Sequence, residues 1–248
     1  MKILIISLLI VTQQLFALVS IVPVEIGENP GFHGQVAVSL ETKRGNTHKD
    51  NYALGVRLNY DNNESYHTWM ELSGEYGESN QVKDTNKLYM HLRHIHALNN
   101  KNICAEAFAQ AQDDEFKLIK RRLVGGGGVR FKIFELFNDG KGYLGVGALY
   151  EDIQYTSTDP KDEDFRANSY FAYTIKLGDD SDLSYTLFYQ PKISDFSDYV
   201  SSQKLALKLH VYKLLYLNFQ VAYDVDNNPP VGVKKYDFTQ TTSFTFGF

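Results

Sequence analysis

A single cysteine, Cys104, in 248 residues excludes an internal disulfide and a thiolate metal cluster. Beyond residue 20 no apolar run approaches the roughly 20 residues that a spanning helix needs. Any entry of that part of the chain into a bilayer must therefore be by strands. Basic residues are not in excess: 25 Lys and Arg stand against 30 Asp and Glu, a net charge of −5, or −6 without Lys2. No positive field is available to attract nucleic acid, which is excluded as a partner. The common chemical motifs are missing as well. The glycines at 125–128 lack the Lys-Ser/Thr pair and the following helix of a phosphate loop, and read instead as a place where a neighbour packs close or the wall bends. Ser39, Ser73, Ser169 and Ser184 fall on extended stretches with no nucleophile elbow and no base beside them. The oxygen-rich stretches 158–164 and 224–228 miss the Gly and Glu positions of an EF-hand. No cofactor or metal is expected, and no catalytic residue stands out.

What is present is aromatic and alternating. Seventeen Tyr and sixteen Phe make most of a 14% aromatic share, the usage of pleated surfaces. Mean hydropathy is −0.32, too polar for a helical membrane protein but suited to strands of which every second residue faces lipid. The first twenty residues carry Lys2, an apolar stretch from Ile3 to Val11 and then Thr12-Gln13-Gln14. That pattern predicts a cleaved secretory signal over 1–20, with Ala17 or Ser20 offering the small residue at the cut. A periplasmic segment is expected over 21–33 and a β-domain over 34–248.

Twelve period-2 runs occupy that domain, at 34–44, 51–60, 66–77, 86–98, 103–112, 120–134, 142–156, 166–177, 183–191, 202–212, 215–224 and 235–248. After the even runs the connections are short and turn-like. After the odd runs most are longer and polar, as at 78–85, 157–165, 192–201 and 225–234. Short turns at one end, long loops at the other and an even count predict an all-β, antiparallel, up-and-down transmembrane barrel of twelve strands.

One parity carries residues such as Val36, Val38, Leu54, Val56, Leu207, Leu217 and Phe219. The other carries Glu41, Lys43, Arg57, Glu71, Glu75, Arg93, Glu106, Arg130, Lys132, Glu151, Lys176, Lys208 and Asp224. A twelve-strand cylinder is too wide for apolar side chains to fill its middle, so the charged face is expected to line a salt-bridged or aqueous lumen. Near-balanced signs predict cross-strand pairs rather than strong ion selectivity. Among the seven histidines, His91, His94 and His96 are the densest group; on a strand only His94 and His96 share a face, which predicts interfacial rings rather than a metal site.

The closing strand puts Phe244, Phe246 and Phe248 on one face against Thr241, Ser243 and Thr245 on the other. A terminal Phe after alternating aromatics resembles the end-signal through which assembly machinery reads bacterial outer-membrane barrels. The first hairpin SLETKRGNTHKDNYALGVRLNY, then RRLVGGGGVRF (121–131), LGVGALYED (144–152) and the ending PVGVKKYDFTQTTSFTFGF follow in order. Together they resemble the domain-of-unknown-function family of salt-induced outer-membrane proteins. The resemblance implies a Gram-negative outer-membrane β-barrel without an established activity, in contact with membrane lipids and lipopolysaccharide, and it supplies no catalytic residues. Two functional classes stay open: a narrow channel or structural barrel with an ion-paired lumen, or a lipid-acting enzyme or loop-mediated binding protein that uses the barrel as a scaffold.

Overall fold

The computed structural model describes residues 24–43, 49–136, 140–156, 161–178 and 180–248, the side chains of 41–43 excepted. The expected signal at 1–20 lies outside them. Twelve strands run through the described residues: β1 Gly31–Lys43, β2 Lys49–Asp61, β3 Tyr66–Ser79, β4 Val82–Asn100, β5 Ile103–Asp114, β6 Ile119–Leu136, β7 Gly140–Tyr155, β8 Asp162–Gly178, β9 Ser181–Lys192, β10 Asp195–Tyr212, β11 Leu215–Asp226 and β12 Tyr236–Gly247. Each pairs antiparallel with its sequence neighbour, and β12 returns to β1. Every period-2 run is a strand of a closed barrel. We call the end that holds Gly31 and Gly247 the terminal mouth and the other the distal mouth.

The ends of some strands differ from the sequence reading. β1 begins at Gly31 rather than Gly34. The long loops expected at 78–85 and 192–201 are largely strand, and their turns shrink to two residues, 80–81 and 193–194. Asn80 and Gln81 both lie at positive φ, 50° and 65°, the backbone of a tight hairpin turn whose twist matches the strands. Hydropathy could not show this, because a strand wet on both faces has no alternation to read.

The pleat sorts the side chains as the alternation implied. Leu54 and Leu88 on the outer face are 53% and 56% exposed, while Thr245 and Thr239 on the inner face are 2% and 1% exposed. A barrel dissolved in water would reverse this order, because exposed apolar area of that extent is unfavourable there. Closure uses the last residues of the chain: Gln35–Val38 of β1 pair with Phe244–Gly247 of β12. Gly34 and Phe248 exchange two backbone hydrogen bonds of 2.8 and 2.9 Å, and Ser39 Oγ donates to the Thr242 carbonyl at 3.0 Å. Phe244, Phe246 and Phe248 all point outward.

Candidate functional site

The inner face is not hollow. Arg57 lies over the Trp69 ring at 4.3 Å, Arg93 over Phe108 at 5.3 Å and over Tyr170 at 5.6 Å, and Arg130 over Tyr143 at 4.7 Å. Glu106 sits 3.7 Å from Arg93 and 3.5 Å from Arg130, and accepts a 2.6 Å hydrogen bond from the Tyr170 hydroxyl. Tyr170 stands on β8 and Glu106 on β5, so this bond crosses the interior. Long side chains do what apolar ones cannot in a cylinder of this width: guanidinium stems and phenol rings reach the axis, and their charged ends stack on aromatic faces. Glycine makes the room. A Cβ on Gly126 would stand 2.6 Å from Phe108 Cζ and 2.8 Å from the Ala148 carbonyl oxygen. A cavity of about 30 Å³, one water's worth, remains beside Arg93, Arg130, Tyr143 and Tyr170.

The terminal mouth is filled by chain rather than by the wall. Residues 24–30 enter it ahead of β1, with Ile26 buried against Ile95 and Cys104. The Val24 carbonyl accepts from Arg130 Nη1 at 2.9 Å, and the Gly27 amide donates to Asp61 Oδ2 at 2.7 Å. Glu25 pairs with Lys132 at 3.0 Å and also with Lys141; Glu28 reaches Lys141 at 3.5 Å and Lys176 at 3.4 Å. Burial alone would raise the Glu25 carboxyl, but hydrogen bonds from Lys141 and Lys132 and their charges outweigh it and hold it below the usual carboxylate range.

Toward the distal mouth a second network joins strands to one another. Arg122 on β6 donates to Glu151 on β7 through Nε at 2.8 Å and also through Nη2. Arg166 on β8 lies 3.3 Å from Glu151 and 2.9 Å from Asp198 on β10. Lys192 pairs with Asp164 at 2.6 Å. Lys117, in the turn between β5 and β6, reaches across to Asp237 of β12 at 2.7 Å.

Of the charged residues singled out in the sequence, Arg57, Glu71, Glu75, Arg93, Glu106, Arg130 and Glu151 are each less than 10% exposed. Lys132, Lys208 and Asp224 are half-buried, and Lys176 is exposed at the terminal mouth. The side chains of Glu41 and Lys43 lie outside the described residues. His91 points inward, 4.4 Å from the Trp69 ring, while His94 and His96 stack outside at 6.1 Å, so the three do not converge. Ser39 and Ser169 hydroxyls are spent on wall carbonyls. The sequence reading missed the inward rings Trp69, Phe108, Tyr143 and Tyr170, which share parity with the charges. It also left Glu25 and Glu28 in a segment outside the barrel, where no periodicity marks them.

A family model described as a protein of unknown function, DUF481, matches residues 36–248. No curated protein matches the chain. Among solved structures, the COG4313 outer membrane channel from Pseudomonas putida F1 is 14% identical with a TM-score of 0.59, over 92% of this chain and 100% of that one. The translocator domain of the autotransporter NalP from Neisseria meningitidis aligns over 89% of each chain at 9% identity and a TM-score of 0.47. The NanC porin aligns over 88% of this chain and 98% of that one at 10% identity and a TM-score of 0.46. At 14% identity the first shows a shared fold.

Proposed function

We propose that this chain, which belongs to the DUF481 family of proteins of unknown function, is a narrow outer-membrane channel held shut by its own N-terminal segment. The observation that carries this reading is the way the terminal mouth is closed. Residues 24–30 are held mainly by ion pairs and hydrogen bonds to the inner wall, and these can release without breaking a single strand pairing.

The channel character of the P. putida protein agrees with this reading. The outward apolar band meets lipid, the first twenty residues direct export, and the termini face the periplasm. Phe244, Phe246 and Phe248 present the closing strand to the assembly machinery. The polar distal turns meet lipopolysaccharide. No catalytic step is assigned.

The test is single-channel recording in planar bilayers on the purified full barrel. The parent should give brief, small current steps, and the double variant Glu25→Gln, Glu28→Gln should stay open at least several-fold longer. Silence from both at every voltage would sink the channel and leave a structural barrel.

A further inference from the structure

We infer that the centre of the lumen is a binding site for the carboxylate of a small organic acid, and that the N-terminal segment occupies it as an internal surrogate. The inference rests on the channel reading for how such a solute arrives, but not for whether it binds.

Three observations carry it. First, wherever the segment meets a wall cation it supplies the oxygen: the Val24 carbonyl to Arg130, Glu25 to Lys132 and Lys141, and Glu28 to Lys141 and Lys176, the Gly27 amide on Asp61 being its one contact with a wall carboxylate among the described residues. These cations form a ladder from the axis to the terminal mouth. A chain of acceptors seated on it has the chemistry of an anionic solute in transit. Second, two donors at the inner end of the ladder have no acceptor among the described residues. Arg93 Nε, on a residue 7% exposed, and the Tyr143 hydroxyl, on one 1% exposed, are both unmatched. Both residues line the 30 Å³ cavity that Val24 bounds. Buried donors of this kind are costly unless something accepts from them. Third, the local charge is unequal. Arg93 and Arg130 share the one carboxylate of Glu106, so the pair keeps a unit of positive charge for a ligand.

The geometry selects among anions. The cavity is flanked by the rings of Trp69, Tyr143 and Tyr170, which favour a flat group. A guanidinium presents two parallel N–H donors, which match the two coplanar oxygens of a carboxylate. Withdrawal of Val24 would add its volume to the cavity and free Arg130 Nη1 for the incoming oxygen. A metal cation is disfavoured by the two guanidiniums beside the space.

The chain carries one tryptophan, and it lines this cavity, so its emission reports on the site in the intact barrel. Detergent-solubilised parent protein at fixed chloride is titrated with succinate, acetate, the matching amides and inorganic phosphate. Succinate and acetate should change Trp69 emission saturably and the amides should not. Glu25→Gln, Glu28→Gln should lower the succinate midpoint roughly tenfold, because the surrogate is loosened. Arg93→Gln should raise it roughly tenfold or more, and Tyr143→Phe, which keeps the ring, should raise it by a smaller factor while the barrel keeps its folded gel mobility. Equal response to the amides, phosphate binding as tightly as succinate, or a midpoint unmoved by all three variants would each overturn the assignment. The two proposals fail separately. Current without a saturable Trp69 response ends the carboxylate site and leaves the channel, whereas a saturable response in a barrel that never conducts does the reverse.

Discussion

The two ends of the lumen use the same chemistry to opposite effect. At the distal end both members of each ion pair belong to the barrel: Arg122, Glu151, Arg166 and Asp198 tie β6, β7, β8 and β10 together. At the terminal end the cations Lys132, Lys141 and Lys176 belong to the wall and Lys132 also pairs with Glu135 on its own strand, but Glu25 and Glu28, which bridge the three, ride on a segment that forms no strand. Pairs within the wall brace it, because losing one strands its partner's charge inside the barrel. Pairs to the segment can dissolve into water at the mouth. The difference lies in where the acid is attached, not in the strength of any one contact.

The sharpest way to break this comparison is at Glu151. Its replacement by alanine takes the shared carboxylate from buried Arg166 and half-buried Arg122, and should cost about 3–5 kcal/mol of stability. Glu25→Ala should cost less, since Lys132 keeps Glu135 and Lys141 keeps Glu28 as carboxylate partners. Equilibrium unfolding in urea with lipid vesicles measures both. Equal losses would mean that the terminal pairs brace the wall too, and that the segment is not a separable closure.

A second test separates the packed inner face from the outer one within a single glycine run. Gly126→Ala drives a methyl against Phe108 and the Ala148 carbonyl, and should destabilise the barrel by about 1–3 kcal/mol. At Gly125 a Cβ meets nothing within 4 Å, so Gly125→Ala should be neutral or slightly stabilising by the same measurement. A matching penalty at both positions would contradict the tight fit of the aromatic layer.

The smallest expected effect is of pH on the terminal closure. Glu25 has its carboxyl depressed by Lys141 and Lys132, so its contribution is complete above the ordinary glutamate value and is lost as pH falls through the depressed one. The facing lysines stay charged throughout this range, and Glu28 shares Lys141 with Glu25. Open time should therefore rise on acidification below the glutamate range, and rise less in Glu25→Gln. An identical acid response in the variant would place the sensitive group elsewhere.

Most of the barrel was legible in the residue order because a strand between lipid and lumen alternates with a period of two along its length. That contrast marked all twelve strands, the outward phenylalanines and the inward charges. It failed where its physical cause stops. Beyond the lipid both faces are wet, so 78–85 and 192–201 read as loops although their backbones pair. Within the lumen, parity says that Trp69, Tyr143 and Tyr170 face inward but not that they meet the arginines of other strands, because that depends on the curvature of the closed wall. The part played by Glu25 and Glu28 was beyond any local pattern. A short acidic stretch ahead of a strand has no periodicity to read, and only the closed cylinder brings Arg130, Lys132 and Lys141, more than a hundred residues away in the chain, within hydrogen-bonding reach of it.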